Sequence, residues 1–260
     1  MPPQVAIEKA ERAGIGWVGV RQGNHAGPAA LYAMMPLARD MIGIYIAVGS
    51  ANHMPPWGGV ELLLSTNPVA VAIPALEEAP IVLDIATSVT AYGKVKTKAL
   101  RGEPMPEGWM IDARGNSLTD PRRAEEGFLL PIGGYKGYGL ALVFGLLAGT
   151  LNGAAFGRNV IDFNKDDKTP TNTGQVIMAL DVARFSAVEA FKRCVDGVIR
   201  EMRNSKKMAG VERIRLPGEQ SHATWLERRV LGIPLNDALL NDLERVTIEL
   251  GIEGLRGRSR

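Results

Sequence analysis

Five short apolar runs, set between glycine and proline turns and alternating with helix-period segments, limit most strongly what this chain can fold into. Residues 17–20 read as a short buried strand, and residues 41–48 as a second. Residues 69–73 and 81–83 are further buried strands, and residues 175–181 a fifth candidate. Helical periodicity opens the chain and stops at Gly14, a residue suited to ending a helix. Pro28 opens a second helix through Arg39, and Thr87-Ser88 can cap a third running toward Leu100. The longest apolar run, residues 138–156, approaches membrane-spanning length. Glycines 139, 145, 149 and 153 interrupt it, so it reads as a buried helix whose small residues permit close packing. Residues 101–127 are a polar surface excursion with a small hairpin, and residues 186–202 a helix. Strands alternating with helices define an α/β class with α+β character. We expect residues 15–210 to form the catalytic domain, with residues 1–14 and 211–260 as helical segments of a smaller lobe.

Charge and cysteine content narrow the function. A formal net charge of +2 over 260 residues argues against nucleic acid or an anionic membrane surface as the main partner. Cys194 is the single cysteine, which excludes an internal disulfide and a multi-cysteine metal cluster. It falls in the 186–202 helix and is read as packing. None of the three histidines stands at i, i+3 or i, i+4 from another, and no HExxH occurs, so no metal site is expected. Hydrolase chemistry fits poorly, since no G-x-S-x-G elbow is present. No basic segment followed by an apolar core opens the chain, and cytoplasm is the expected location.

Three segments could carry chemistry. His25 lies between a strand end and a helix start, where backbone N–H groups and the positive helix end collect. A ketone that takes up hydride needs a proton on its developing alkoxide, and such an imidazole supplies one. A histidine capping its own turn fits the residues equally well. Asp84 closes an apolar run, which puts its carboxylate at a strand's carboxyl end, where ligand crevices open. It could orient His25, contact a nicotinamide ribose, or cap the helix at Thr87-Ser88. The glycine-rich turn from Gly133 to Gly139 leads into a helix with Lys136 inside it. Such a turn cradles a phosphate or carboxylate, or is simply a turn before a buried helix. His53 reads as a loop hydrogen-bonder and His222 as a surface residue.

The order of the segments carries a resemblance. Gly23-Asn24-His25-Ala26-Gly27 resembles the Asn-His-x-Gly active-site turn of the malate/L-lactate dehydrogenase family. Asn52-His53-Met54-Pro55-Pro56-Trp57-Gly58-Gly59 is similar to its proline-tryptophan-diglycine loop, and Ser65-Thr66-Asn67-Pro68 to its Thr-Asn-Pro strand. Asp84-Ile85-Ala86-Thr87-Ser88 resembles its Asp-x-Ala-Thr-Ser segment. Gly134-Tyr135-Lys136-Gly137 resembles its lysine-glycine turn, and Pro217-Gly218-Glu219 its late turn. All occur in family order between about residue 5 and about residue 250.

The resemblance implies a non-Rossmann NAD(P)-binding fold on a mixed, largely antiparallel sheet with surrounding helices, and a homodimer. It implies hydride transfer between NAD or NADP, in reduced form, and a small 2-oxo/2-hydroxy acid. His25 would be the acid/base and Asp84 its partner or a cofactor contact. Ser50, Asp84, Ile85, Ala86, Lys136, Gly137, Pro217, Gly218 and Glu219 would line the cofactor. Family members also carry an N-terminal helical segment from which a His and an Arg reach the substrate. This chain starts after it, so a cofactor-binding remnant without turnover is the alternative expectation. Neither NAD versus NADP nor the particular acid is fixed by the residues.

Overall fold

In the computed structural model, which describes residues 1–166 and 168–256, the chain opens with helix α1 (Pro2–Ala13). It ends where Gly14 turns left-handed at φ 84° and donates its N–H to Ala10 O at 2.7 Å. Strand β1 (Ile15–Gly23) follows, then α2 (Ala29–Met34), a 3-10 turn over Met35–Arg39, and β2 (Met41–Ala47). The helix expected from Pro28 to Arg39 is therefore broken in two. Pro36 lacks the N–H an uninterrupted α-helix needs there. The next elements are β3 (Asn52–Met54), β4 (Leu64–Ser65), β5 (Val69–Ile73), β6 (Ile81–Ile85) and α3 (Tyr92–Arg101). Strands β7 (Met110–Asp112) and β8 (Gly127–Leu129) precede α4 (Tyr135–Ala148). Strand β9 (Thr173–Asp181) and α5 (Val188–Asn204) lead to the final helices, α6 (Glu219–Leu231) and α7 (Asp237–Leu250).

Five strands form one sheet in the order β1-β9-β2-β5-β6, each neighbour pair antiparallel. Because side chains alternate along a strand, the sheet builds two cores. Tyr45, Ala47, Ala70, Ala72, Ile177 and Ala179 face α1 and α2, where Ala6, Ala10, Ala29 and Ala33 meet them. Ile46, Val48 and Val176 face the other way, onto Ala148 with Phe144 and Leu147 of α4. Small residues let α2 lie close to the sheet. A Cβ on Gly43 would stand 2.0 Å from Ala33 O. Strands β1 and β6 are sheet edges, so the expectation that both are buried is corrected. Trp17 is 37 % exposed, and Ile81, Val82 and Leu83 are half-buried.

The 101–127 excursion is more than surface. Met105, Met110, Leu118 and Ala124 join Leu129, Met54, Leu64, Val95 and Ala141 in a third core, and β7 pairs with β8. Helix α4 fully buries only its small-residue stripe, Gly137, Ala141, Gly145 and Ala148, with Phe144 and Leu147 partly buried beside it. Leu140, Val143 and Leu146 on its other side are exposed, which corrects the expected fully buried helix. Cys194, expected to pack, is exposed on α5.

The chain divides into two compact units, Met1–Glu219 and Gln220–Arg260. Residues 1–14, expected with the C-terminal helices, instead belong to the first unit. Pro3, Ala6, Ile7 and Ala10 of α1 are buried, the last three in the sheet's core. In the second unit, Asn236 Oδ1 caps α7 through the Leu239 N–H at 2.8 Å. There too the exposed His222 ring stacks on Trp225 with 5.7 Å between centroids.

Candidate active site

Antiparallel pairing decides where the functional segments meet. Strands β1, β2 and β6 run one way and β5 and β9 the other. The carboxyl ends of the first three and the amino ends of the last two therefore share one edge of the sheet. A cavity of about 340 Å³ opens there. The 24–27 turn, the 47–51 loop with His53, and Ser65, Thr66 and Pro68 line it. The first turn of α3 and Phe163-Asn164 complete it, with Tyr45 and Gln175 contributed by the sheet.

His25 is held by its turn. Thr171 and Thr173 donate their hydroxyls to Gly23 O at 2.8 and 3.2 Å, and Gln175 Nε2 donates to Asn24 O at 3.2 Å. The Gly27 N–H donates to His25 Nδ1 at 3.1 Å. A nitrogen that accepts a hydrogen bond has its lone pair there, so the neutral ring carries its proton on Nε2. Nε2 makes no hydrogen bond among the described residues, and His25 lines the cavity. The ring lies 6.0 Å from that of Phe163. Ser50, also in the cavity wall, is buried, and its hydroxyl lies 3.3 Å from that of Thr173. Below them, burial foremost, then Tyr32 and Asp84, push the Tyr45 phenol well above its ordinary range.

The opposite wall was not foreseen. His53 stacks on Tyr92 with 4.0 Å between centroids. Burial, with Lys96 and Lys165 acting in the same direction and Asp162 opposing, lowers its pKa to about 4. Its expected role as a loop hydrogen-bonder gives way to stacking. Lys96 donates to Asn164 Oδ1 at 2.6 Å, and Asn164 Nδ2 donates to Asp162 Oδ1 at 3.0 Å. Helix α3 begins at Tyr92, not at Thr87-Ser88. The Thr87 hydroxyl is spent on Thr66 O at 2.8 Å, and Ser88 forms a bridge with Pro131. Tyr92 and Lys96, i and i+4 on the helix, both line the cavity.

Asp84, Ile85, Ala86, Lys136, Gly137, Pro217, Gly218 and Glu219 are not in the cavity wall. They form a neighbouring strip, joined by backbone hydrogen bonds. Val82 N–H donates to Pro217 O at 3.1 Å, and Ile132 N–H to Thr87 O at 2.9 Å. The second bond sets the start of α4 beside the end of β6. Asp84 is exposed, and its Oδ2 accepts the Ala30 N–H at 2.8 Å. It thus caps α2 rather than a helix at Thr87, and it does not orient His25 directly, whose Nδ1 is committed to Gly27. The Glu219 carboxylate is engaged by Arg203 Nη2 and Nε at 2.7 and 3.2 Å, so its side chain is not free for a ligand.

The strip offers donors to an anion. Lys136 is exposed and makes no ion pair among the described residues. The α4 N-terminus has no side-chain cap, which leaves first-turn N–H groups for an anion. The second oxygen of Asp84 makes no hydrogen bond among the described residues. Among the described residues, no three His, Cys, Asp or Glu side chains gather as a metal site would require.

Comparison with known proteins points the same way. A model of the malate/L-lactate dehydrogenase family matches residues 3–244. The malate dehydrogenase of Pyrococcus abyssi is 39 % identical over 263 residues, covering 97 % of this chain and 70 % of that protein. The L-sulfolactate dehydrogenase of Methanothermobacter thermautotrophicus is 38 % identical over 249 residues, covering 96 % and 70 %. The solved sulfolactate dehydrogenase of Methanocaldococcus jannaschii superposes with a TM-score of 0.85 at 35 % identity, covering 97 % of this chain and 72 % of that one. More distant relatives are named for NAD(+) and for NADP(+).

Proposed function

The chain belongs to the malate/L-lactate dehydrogenase family, and from that premise we propose that His25 carries the proton step of its reaction. The protein is an oxidoreductase that moves a hydride between NAD(P)H and C2 of a small 2-oxo/2-hydroxy acid. The observation that supports the role of His25 is the Gly27 bond to Nδ1. It leaves the other ring nitrogen of this cavity-lining residue without a partner among the described residues.

When bound, the reduced nicotinamide supplies the hydride. The chain's own part is to hold the carbonyl oxygen and protonate it. His25 Nε2–H donates a hydrogen bond to the C2 oxygen. Uptake of a proton at Nδ1 releases Gly27 and forms the imidazolium. Its Nε2 proton passes to the alkoxide oxygen, and the ring is left neutral. Lys136 and the α4 N-terminus would hold the pyrophosphate, and Asp84 a ribose hydroxyl, while Ile85, Ala86 and Pro217–Glu219 contribute backbone. Ser50 would border the nicotinamide from within the cavity.

Homodimerisation belongs to the same reading, supported by the exposed Leu140, Val143 and Leu146 on α4. So does a location in the cytoplasm, where reduced nicotinamide is available. Replacing His25 with Asn should lower turnover by about 10²–10⁴-fold while the fluorescence titration with NADH stays as in the parent. Equal turnover would remove His25 from the proton step.

A further inference from the structure

We propose that Lys96 sets the substrate preference of this cleft by receiving a second anionic group, a carboxylate or sulfonate, at the substrate end remote from C2. The assignment rests on the dehydrogenase reading of the same cavity.

Lys96 lines the cavity that His25 lines, and its position is fixed. Asn164 Nδ2 is committed to Asp162, so the Asn164 oxygen must face Lys96, and it takes one ammonium proton at 2.6 Å. A lysine has three such protons, and two remain for a ligand. No carboxylate lies within ion-pair distance of Lys96 Nζ among the described residues. An ammonium held in a cleft without a direct counter-charge attracts an anion there more strongly than one in open water.

Two neighbours strengthen the same field. Helix α3 has Ala91 at its N-cap and no side-chain cap, so its first-turn N–H groups and positive end face the cavity that Ala91, Tyr92 and Gly93 line. The Tyr92 ring, whose centroid is 5.8 Å from Nζ, and the His53 ring stacked on it give the ammonium a flat aromatic wall. The position of Phe163 decides which anion is meant. Its ring stands beside His25, and the next residue, Asn164, carries Lys96. Consecutive residues 163 and 164 thus contact His25 and Lys96 respectively, and all four line one cavity. The C1 carboxylate is one bond from the reacting carbon and stays beside His25. A group at the far end of the chain reaches Lys96.

The experiment compares oxaloacetate, which ends in a carboxylate, with pyruvate, which ends in a methyl group. Lys96→Met should raise the oxaloacetate KM about 10- to 100-fold, as loss of one charge-assisted hydrogen bond does, and change the pyruvate KM less than about threefold. Lys96→Arg should recover most of the discrimination, because charge is retained. Malonate should bind the NADH-loaded parent by calorimetry and bind Lys96→Met more weakly, with acetate unaffected. Equal KM increases for both oxo acids, an increase confined to NADH, or discrimination unchanged in Lys96→Met would overturn the assignment and leave the dehydrogenase reading intact. A parent protein that oxidises NADH and NADPH with neither acid would instead overturn the dehydrogenase reading, and this assignment with it.

Discussion

Replacing Gly137 with Ala probes whether the close approach of α4 to the segment before it positions the cofactor strip. The added Cβ would stand 2.2 Å from Ile132 O and 2.6 Å from Ile132 N. Both neighbours are backbone and cannot rotate away. Ordinary contact begins near 3.4 Å, so the helix start and residue 132 must separate by about 1 Å. Overpacking of this kind costs about 1–3 kcal/mol, and the better helix propensity of Ala returns about 1 kcal/mol. The net loss is about 0–2 kcal/mol, a few degrees in Tm at about 2–4 °C per kcal/mol for a chain this size. Cofactor affinity should respond more, because Ile132 is tied to Thr87 and the displacement pulls Lys136 away from residues 84–86. Misplacement on this scale costs up to about 100-fold in a positioned site. An NADH fluorescence titration beside thermal unfolding measures both. Gly139→Ala is the control, since its Cβ meets nothing within 4 Å and should stabilise α4 without touching binding. Unchanged Kd and Tm in Gly137→Ala would refute the reasoning.

Two further outcomes follow from the site's electrostatics and capping. The His53 pKa is lowered to about 4, so between pH 6.5 and 4 the unfolded chain binds the proton and the folded chain does not. Stability is therefore full above pH 6.5 and falls as pH drops toward 4, by at most about 3 kcal/mol. His53→Leu should flatten Tm over that window, and an unaltered slope would count against a buried neutral His53. Asp84→Ala removes the α2 cap and should cost about 1 kcal/mol, whereas Asp84→Asn keeps an acceptor for Ala30 and should hold Tm. Equal Tm losses in calorimetry would show that charge, rather than the cap, is what matters at this position.

The sheet and most helices were legible because each strand is a short apolar run between turn residues, and period 2 or 3.6 survives in the chain. Burial was not legible for edge strands, because the run at residues 81–83 reads the same beside one neighbour as beside two. Helix α4 shows the converse limit. Its apolar residues surround the axis, and only the small stripe Gly137, Ala141, Gly145 and Ala148 tells which side is buried. His25 and Ser50 were found through their place in an ordered set of motifs and share the cavity. Lys96 and Asn164 had no local signal. They come together across 68 residues. Asp196 was also missed. Its carboxylate accepts the backbone N–H groups of Leu76, Glu77 and Glu78 at 3.0, 2.9 and 3.3 Å, a pairing across about 120 residues that no spacing announces.

The most direct test follows one deuterium. Protein incubated with nicotinamide cofactor deuterated at the reactive C4 position and with a 2-oxo acid should yield a 2-hydroxy acid carrying that deuterium on C2 by mass spectrometry, whether the solvent is H2O or D2O. Cofactor oxidation that leaves C2 unlabelled, or a C2 hydrogen drawn from solvent, would contradict hydride transfer in this cleft.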